Sequence, residues 1–387
     1  MKRNMLAKKL MAGVLTSTMV MSMSITAFAT EDSNMKPLDP VAISAVPIEK
    51  NLLTDGKTYA PNTQFTFNVV SGDAGIYERD GNEYPVTPGP VSAVVVNNPD
   101  AFSSSDTISA EYNRVGALSF DVNEFEAPGI YSYKLTENNT GYEGVGYSDE
   151  EYVIYVFVET DGENKYVSAV TATKDGSTDV IDPTAGTETD GKAASIEFTN
   201  NYGNEDRPDD YIYDLIVTKE VTGNQGNKNE SFSINVTITD EDNTDEVYQA
   251  IVYTDETEET MIGTPVQLKS GERHEFPLKH GQTVHIYGLS ENDIYAVDEA
   301  DYSTDGYTTT YTVSEGNTNA TILDSADGKQ ESVSGVATGD GVKVTVENNK
   351  NVTTPTGIAM TFAPYAVMVV FAGVFAVMFL RKKREDF

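Results

Sequence analysis

An all-β fold, organised as two tandem β-sandwich domains, is predicted by three features of this 387-residue sequence. Short runs alternate apolar and polar side chains with a period of two and are rich in β-branched and aromatic residues. Gly, Pro, Asn and Asp punctuate those runs, as in Pro128-Gly129 and Asp161-Gly162. Long helical segments are missing outside two terminal hydrophobic stretches, which predict a helix at either end.

Taken in order, the chain opens with Lys2, Arg3, Lys8 and Lys9 ahead of an apolar segment, Leu10 to Phe28, that closes on Ala27-Phe28-Ala29. This is the layout of a secretory signal peptide over residues 1–29, with a mature chain starting near Thr30. Residues 30–40 read as a flexible lead. A first domain, 41–203, has strands over Gln64–Val70, Gly116–Val122, Ile130–Leu135, Tyr152–Val158 and Lys165–Thr171. Thr171–Gly191, rich in Thr, Gly and Asp, reads as a loop before a last strand, Ala194–Asn200. The polar, turn-rich stretch 204–211 is the linker. A second domain, 212–352, repeats the pattern over Leu215–Lys219, Ser231–Ile238, Gln249–Tyr253, Thr283–Tyr287, Thr308–Val313 and Val342–Val346. Alternation with frequent turns predicts antiparallel sheets in both.

The far end carries residues 353–357, Thr-Thr-Pro-Thr-Gly, set directly against Ile358–Leu380, a run with no charged side chain. Such a run is close to the ~20 apolar residues that span a bilayer as a helix. Arg381-Lys382-Lys383-Arg384, within the tail 381–387, keeps that end cytoplasmic and leaves the domains outside.

Charge and composition exclude several function classes. A formal net charge of −35 repels nucleic acid and keeps an exported surface soluble. With no cysteine, the chain has no thiol nucleophile, thioester, disulfide or Cys-ligated metal. The three histidines, His274, His280 and His285, lack ligand spacing and read as surface residues. Asp240–Asp245 resembles the start of a calcium loop but lacks the required Gly and Glu at the later positions. No metal or cofactor is expected, and no enzyme that turns over.

Comparison of the two halves exposes three repeated stations. Pro47-Ile48-Glu49-Lys50 matches Ile216-Val217-Thr218-Lys219, each ahead of a Phe-containing strand. Tyr133–Glu137 matches Tyr295–Glu299, and Phe198-Thr199-Asn200-Asn201 matches Val346-Glu347-Asn348-Asn349. The order in both is Lys on the first strand, Glu on a later one, Asn on the last. The competing explanation makes the lysines edge-strand charges, the glutamates solvated and the asparagines turn formers.

These stations resemble the Gram-positive pilin isopeptide-linkage family, similar to FctA-type major pilins, whose Ig-like (Cna B-type) domains each form a Lys–Asn amide. The resemblance implies pairs of Lys50 with Asn200 under Glu137, and of Lys219 with Asn348 under Glu299. A register one residue later would make Asn201 or Asn349 the partner and turn it to the other sheet face. The residue types suit the chemistry. Burial disfavours the ammonium and so supplies a nucleophilic amine, while a buried Glu can donate to the Asn carbonyl and shuttle the proton as ammonia leaves. Each domain would do this once, on itself.

The tail resembles a cell-wall sorting signal, in which sortase cuts between Thr and Gly. Here that is Thr356 and Gly357, preceded by Thr354 and Pro355, without the Leu of the common pattern. The resemblance further implies an accepting amine on another subunit, at Lys192, eight positions before Asn200, with Lys174 and Lys165 as rivals. Head-to-tail linkage of this kind yields an open fibre. The implied partners are sortase, other pilin subunits, peptidoglycan or a basal pilin, and a host ligand if there is one. A monomeric wall-anchored adhesin or spacer with the same domains is the alternative.

Overall fold

The computed structural model describes residues 42–352 and 367–376, apart from 80, 176, 178, 184–194, 204–211, 242–244, 291–292, 315–319 and 338–340. The signal segment, the lead, the linker, Lys192, the sorting residues 353–357 and the basic tail therefore lie outside the described residues. Residues 367–376 are helical. No helix among the described residues is long and apolar enough to cross a membrane, and most of the spanning segment read from the sequence lies outside them.

The first half holds β1 (Ala45–Leu53), β2 (Phe67–Ser71), β3 (Gly75–Arg79), β4 (Asn82–Pro88), β5 (Val94–Asn97), β6 (Glu111–Phe120), β7 (Gly129–Glu137), β8 (Glu151–Thr160), β9 (Lys165–Lys174), β10 (Val180–Ile181) and β11 (Ile196–Asn201). One sheet runs β11-β1-β6-β5 and packs on another, β10-β9-β8-β7-β4-β3, with β2 also on β7. Ile48, Leu118, Tyr133, Leu135, Ile154, Val170 and Phe198 fill the space between them.

The second half holds β12 (Ile212–Thr222), β13 (Phe232–Thr239), β14 (Val247–Tyr253), β15 (Met261–Lys269), β16 (His274–Leu278), β17 (Thr283–Ser290), β18 (Ile294–Glu299), β19 (Thr308–Ser314), β20 (Thr321–Asp324), β21 (Gln330–Val336) and β22 (Val342–Asn349). Its sheets are β15-β14-β17-β12-β22-β19 and β16-β13-β18-β21-β20. Both halves are Ig-like sandwiches, as the alternation predicts.

Three features depart from the sequence reading. First, the sheets are not wholly antiparallel. β1 pairs in parallel with β11, β12 with β22, and β4 with β7. A parallel pair needs a long crossover, and in each sandwich the body of the domain supplies it between first and last strand. Second, the stretch Thr171–Gly191 is not all loop, because β9 runs to Lys174 and β10 follows it. Third, His285 is not a surface residue. It is buried on β17, every residue of which is buried.

That loss of alternation on β17 has a cause in the packing between the halves. One face of the strand meets its own core, and the other is covered by Asp214, Tyr253 and Glu258 of its own half together with Lys57 and Thr58 of the first. Lys57, after β1, reaches Glu258 Oε2 at 2.5 Å and the Tyr287 hydroxyl at 3.1 Å. Gly288 has φ +93°, and a Cβ there would stand 2.9 Å from the Thr58 methyl, so only glycine allows this approach. The Tyr142 and Tyr202 hydroxyls donate to the two oxygens of Glu246, at 2.8 and 3.1 Å. His285 stacks on Tyr287 and presents its two nitrogens to Glu258 at 2.8 Å and Asp214 at 3.2 Å.

Candidate functional site

Strand alternation sends Val46, Ile48, Lys50 and Leu52 to the inner face of β1. A lysine thus sits in the middle of an apolar stripe. On β12 the same face carries Leu215, Val217, Lys219 and Val221. Both lysines are 0% exposed, so neither is an edge-strand charge.

The parallel pairing then sets the last strand. Lys50 lies opposite Phe198, and Leu52 opposite Asn200. In the second half Lys219 lies opposite Val346, and Val221 opposite Asn348. Residues two apart share a face, so in each sandwich the Asn points into the same core as the Lys. The offset is identical. Asn201 instead pairs through its backbone with Gly146, and Asn349 donates to the Thr222 hydroxyl at 2.7 Å.

The glutamate arrives from the facing sheet, at the end of β7 or β18. Lys50 Nζ lies 2.9 Å from Glu137 Oε1, and both side chains are fully buried. The same oxygen accepts from Asn200 Nδ2 at 3.1 Å, so amine and carboxamide meet at one carboxyl oxygen. The Ser148 backbone N–H donates to Asn200 Oδ1 at 2.8 Å and lies 3.2 Å from Glu137 Oε2. In the second half Lys219 Nζ is 2.8 Å from Glu299 Oε1. Thr309 Oγ1 stands between Glu299 Oε2, at 3.0 Å, and Asn348 Oδ1, at 2.8 Å.

An aromatic ring closes each pocket over the amine. Lys50 Nζ is 4.7 Å from the centroid of Phe65, and Lys219 Nζ is 4.6 Å from that of Phe232. Each phenylalanine opens the Phe-containing segment that follows the lysine in sequence, so the repeat signals it, although its role is visible only in the fold. Ser148 and Thr309 carry no such signal. A backbone N–H has no residue type, and Thr309 lies in a run of threonines.

Electrostatics follow burial. Desolvation is the largest influence on Lys50 and brings its amine down to about 8, against the opposing pull of Glu137. Lys219 is lowered for the same reason. Burial also raises Glu137, with Lys50 and the hydrogen bonds from Ser148 and Asn200 working against it. Both shifts favour neutral amine beside neutral acid, the pairing that nucleophilic attack on a carboxamide requires.

Of the lysines considered as acceptors from another subunit, Lys174 is paired with Glu150 and Lys165 donates to the Phe125 carbonyl.

Residues 46–203 match the family FctA, described as a Spy0128-like isopeptide containing domain. Residues 213–350 match DUF7601, described as a domain of unknown function. A pilin of Streptococcus pyogenes serotype M1 is 28% identical over 357 residues, covering 87% of this chain and 90% of the relative. Among solved structures, the major pilin from Streptococcus pyogenes covers 81% of this chain and 100% of its own, with TM-score 0.52 and 22% identity. The T3.2 major pilin of the same species covers 79% and 98%, with TM-score 0.55 and 19% identity. At such identities the solved structures speak to the fold alone. Residues 46–203 thus carry an FctA-type, Spy0128-like isopeptide containing domain, and the chain along most of its length is similar to a streptococcal pilin.

Proposed function

We infer that this chain is the structural subunit of a cell-surface pilus, and that each sandwich ties its first strand to its last by an amide between Lys and Asn. The observation that carries the second part is the twofold convergence of a buried Lys, a Glu and an Asn, direct at Lys50, Glu137 and Asn200 and, for Lys219, Glu299 and Asn348, with the Thr309 hydroxyl between the glutamate and the asparagine. Buried charge is costly unless paired, and nothing in an ordinary core asks for it twice at the same register.

In the proposed reaction the neutral amine attacks Cγ of the asparagine. A bond forms from Nζ to Cγ, the bond from Cγ to Nδ2 breaks, and one proton moves from Nζ to the leaving nitrogen by way of the glutamate, so that ammonia departs. Glu137 and Glu299 act as the acid and base of a single turnover.

Parallel first and last strands give this bond a mechanical meaning. Tension applied at the start of β1 leaves the first domain at the end of β11. An amide from Lys50 to Asn200 passes that tension on without loading the strands between. The second amide does the same from Lys219 to Asn348. Hydrogen bonds in the rest of each sandwich then stay off the line of force.

Assembly is read from the sequence. Export under the signal peptide, transient anchoring by 358–380, and cleavage by sortase between Thr356 and Gly357 would deliver the Thr carbonyl to Lys192 of the next subunit, or to peptidoglycan or a basal pilin. A ladder of covalent multimers in cell-wall extracts, lost on Lys192→Ala, is the expected result. Wild-type extracts holding monomer alone would leave the chain as a wall-anchored spacer.

A further inference from the structure

We propose that Thr309 is a positioning residue of the second crosslink, its hydroxyl holding and polarising the Asn348 carbonyl that Lys219 attacks. This rests on the Lys–Asn reading above and extends it to a residue that neither the repeat nor the family match singles out.

The two sites place the same three side chains alike but hold the asparagine differently, and strand order explains why. In the first sandwich β11 is an edge strand, next to β1 alone. The chain around Gly146 covers its open side, and this brings the Ser148 N–H to Asn200 Oδ1. In the second sandwich β22 is an inner strand, with β12 on one side and β19 on the other. No loop can reach Asn348 from that side. The residue directly opposite it on β19 is Thr309, and its hydroxyl supplies the contact that a backbone N–H makes in the first site.

The hydroxyl does two things at once. It has a single proton and stands within hydrogen-bond distance of two oxygens, Asn348 Oδ1 and Glu299 Oε2. When that proton points to the amide carbonyl, the hydroxyl donates to the oxygen that becomes negative as Cγ is attacked, while the contact with Glu299 Oε2 fixes where the hydroxyl oxygen stands. Asn348 Nδ2, the nitrogen that leaves, is buried with no hydrogen-bond partner among the described residues. The side chain is therefore held by its carbonyl, and departure of ammonia breaks no hydrogen bond there. The atoms balance as in the reaction above, because Thr309 donates a hydrogen bond and neither gains nor loses a proton.

A donor aimed at a developing oxyanion is worth on the order of 100-fold in rate when removed. The full chain is therefore expressed in a host without sortase, pulse-labelled and digested with trypsin. Mass spectrometry follows two crosslinked peptides, one joining Lys219 to Asn348 and one joining Lys50 to Asn200. Thr309→Val keeps the branched shape and loses the hydroxyl, whereas Thr309→Ser keeps the hydroxyl and loses the methyl. The expected result is formation of the Lys219–Asn348 peptide ~100-fold slower in the valine variant and within about threefold of wild type in the serine variant, with the Lys50–Asn200 peptide unchanged in both. Serine as slow as valine, or valine as fast as wild type, overturns the proposal. Wild-type chain lacking both crosslinked peptides overturns the reading beneath it instead. If the valine variant differs from Glu299→Ala in its near-ultraviolet spectrum, Thr309→Ala takes its place in the same comparison.

Discussion

Lys50 and Glu137 meet at 2.9 Å, Nζ to Oε1, with both side chains wholly shielded from solvent. They come from facing sheets, and the asparagine that shares their carboxyl oxygen comes from the strand beside the lysine. A soluble fragment spanning 30–353 should therefore weigh two ammonia masses less than its sequence. Glu137→Ala and Glu299→Ala should each restore one. Intact mass spectrometry decides this, and a wild-type mass equal to the sequence value would remove both crosslinks.

Joining Lys50 to Asn200 closes a loop of well over a hundred residues, a constraint worth ~5 kcal/mol by analogy with disulfides. Lys50→Met combined with Glu137→Gln deletes the crosslink and leaves no unpaired buried charge, so the double variant isolates that contribution. Calorimetry should show the first domain melting roughly 10 to 20 °C lower. A variant melting within a degree or two of wild type would mean that no such loop had been closed.

Asp293 offers a pH dependence of known sign. Burial, with Asp240 and Glu246 adding like charge, pushes its carboxyl up to about 7 from the ordinary 3.8, against the donation from the Ser290 N–H. The folded state thus holds a proton that the unfolded chain releases. The stabilisation is fully present below about pH 4 and lost as pH rises through about 7, a span of about 4 kcal/mol. Subtracting the stability profile of Asp293→Asn from that of wild type should expose this slope. A flat difference between pH 4 and 8 would contradict it.

Glu246 should couple the two domains. Its carboxyl accepts from Tyr142 and Tyr202 of the first domain, and Glu246→Ala leaves both hydroxyls facing a void. Hydrogen bonds to a charged group contribute ~1.5–3 kcal/mol each. The variant should split thermal unfolding into two separated transitions and widen the distribution of interdomain angles in small-angle scattering. A single unchanged transition would show that the junction does not depend on this residue.

The residues of the two candidate sites were legible because they occur twice in one order. Lys50, Glu137 and Asn200 would be unremarkable singly, but Lys219, Glu299 and Asn348 repeat them at matching stations. Most strands were legible from their period, since one-sided burial writes alternation directly into sequence. The burial of His285 was not, although a strand was read over Thr283–Tyr287, because β17 is covered on both faces and has no alternation to tell which side chains are shielded.

The sequence by itself determined the all-β class and the order of the site residues, both of which follow from local patterning and repetition. Only the tertiary structure decided that first and last strands run parallel, that Asn200 and Asn348 rather than their neighbours face the lysines, and that Ser148 and Thr309 hold the amides. The physical reason is that pairing direction and register join strands more than a hundred residues apart, and the groups that hold the amides come from segments tens of residues away from the asparagines. No local pattern encodes such distances; they exist only once the sheets have closed.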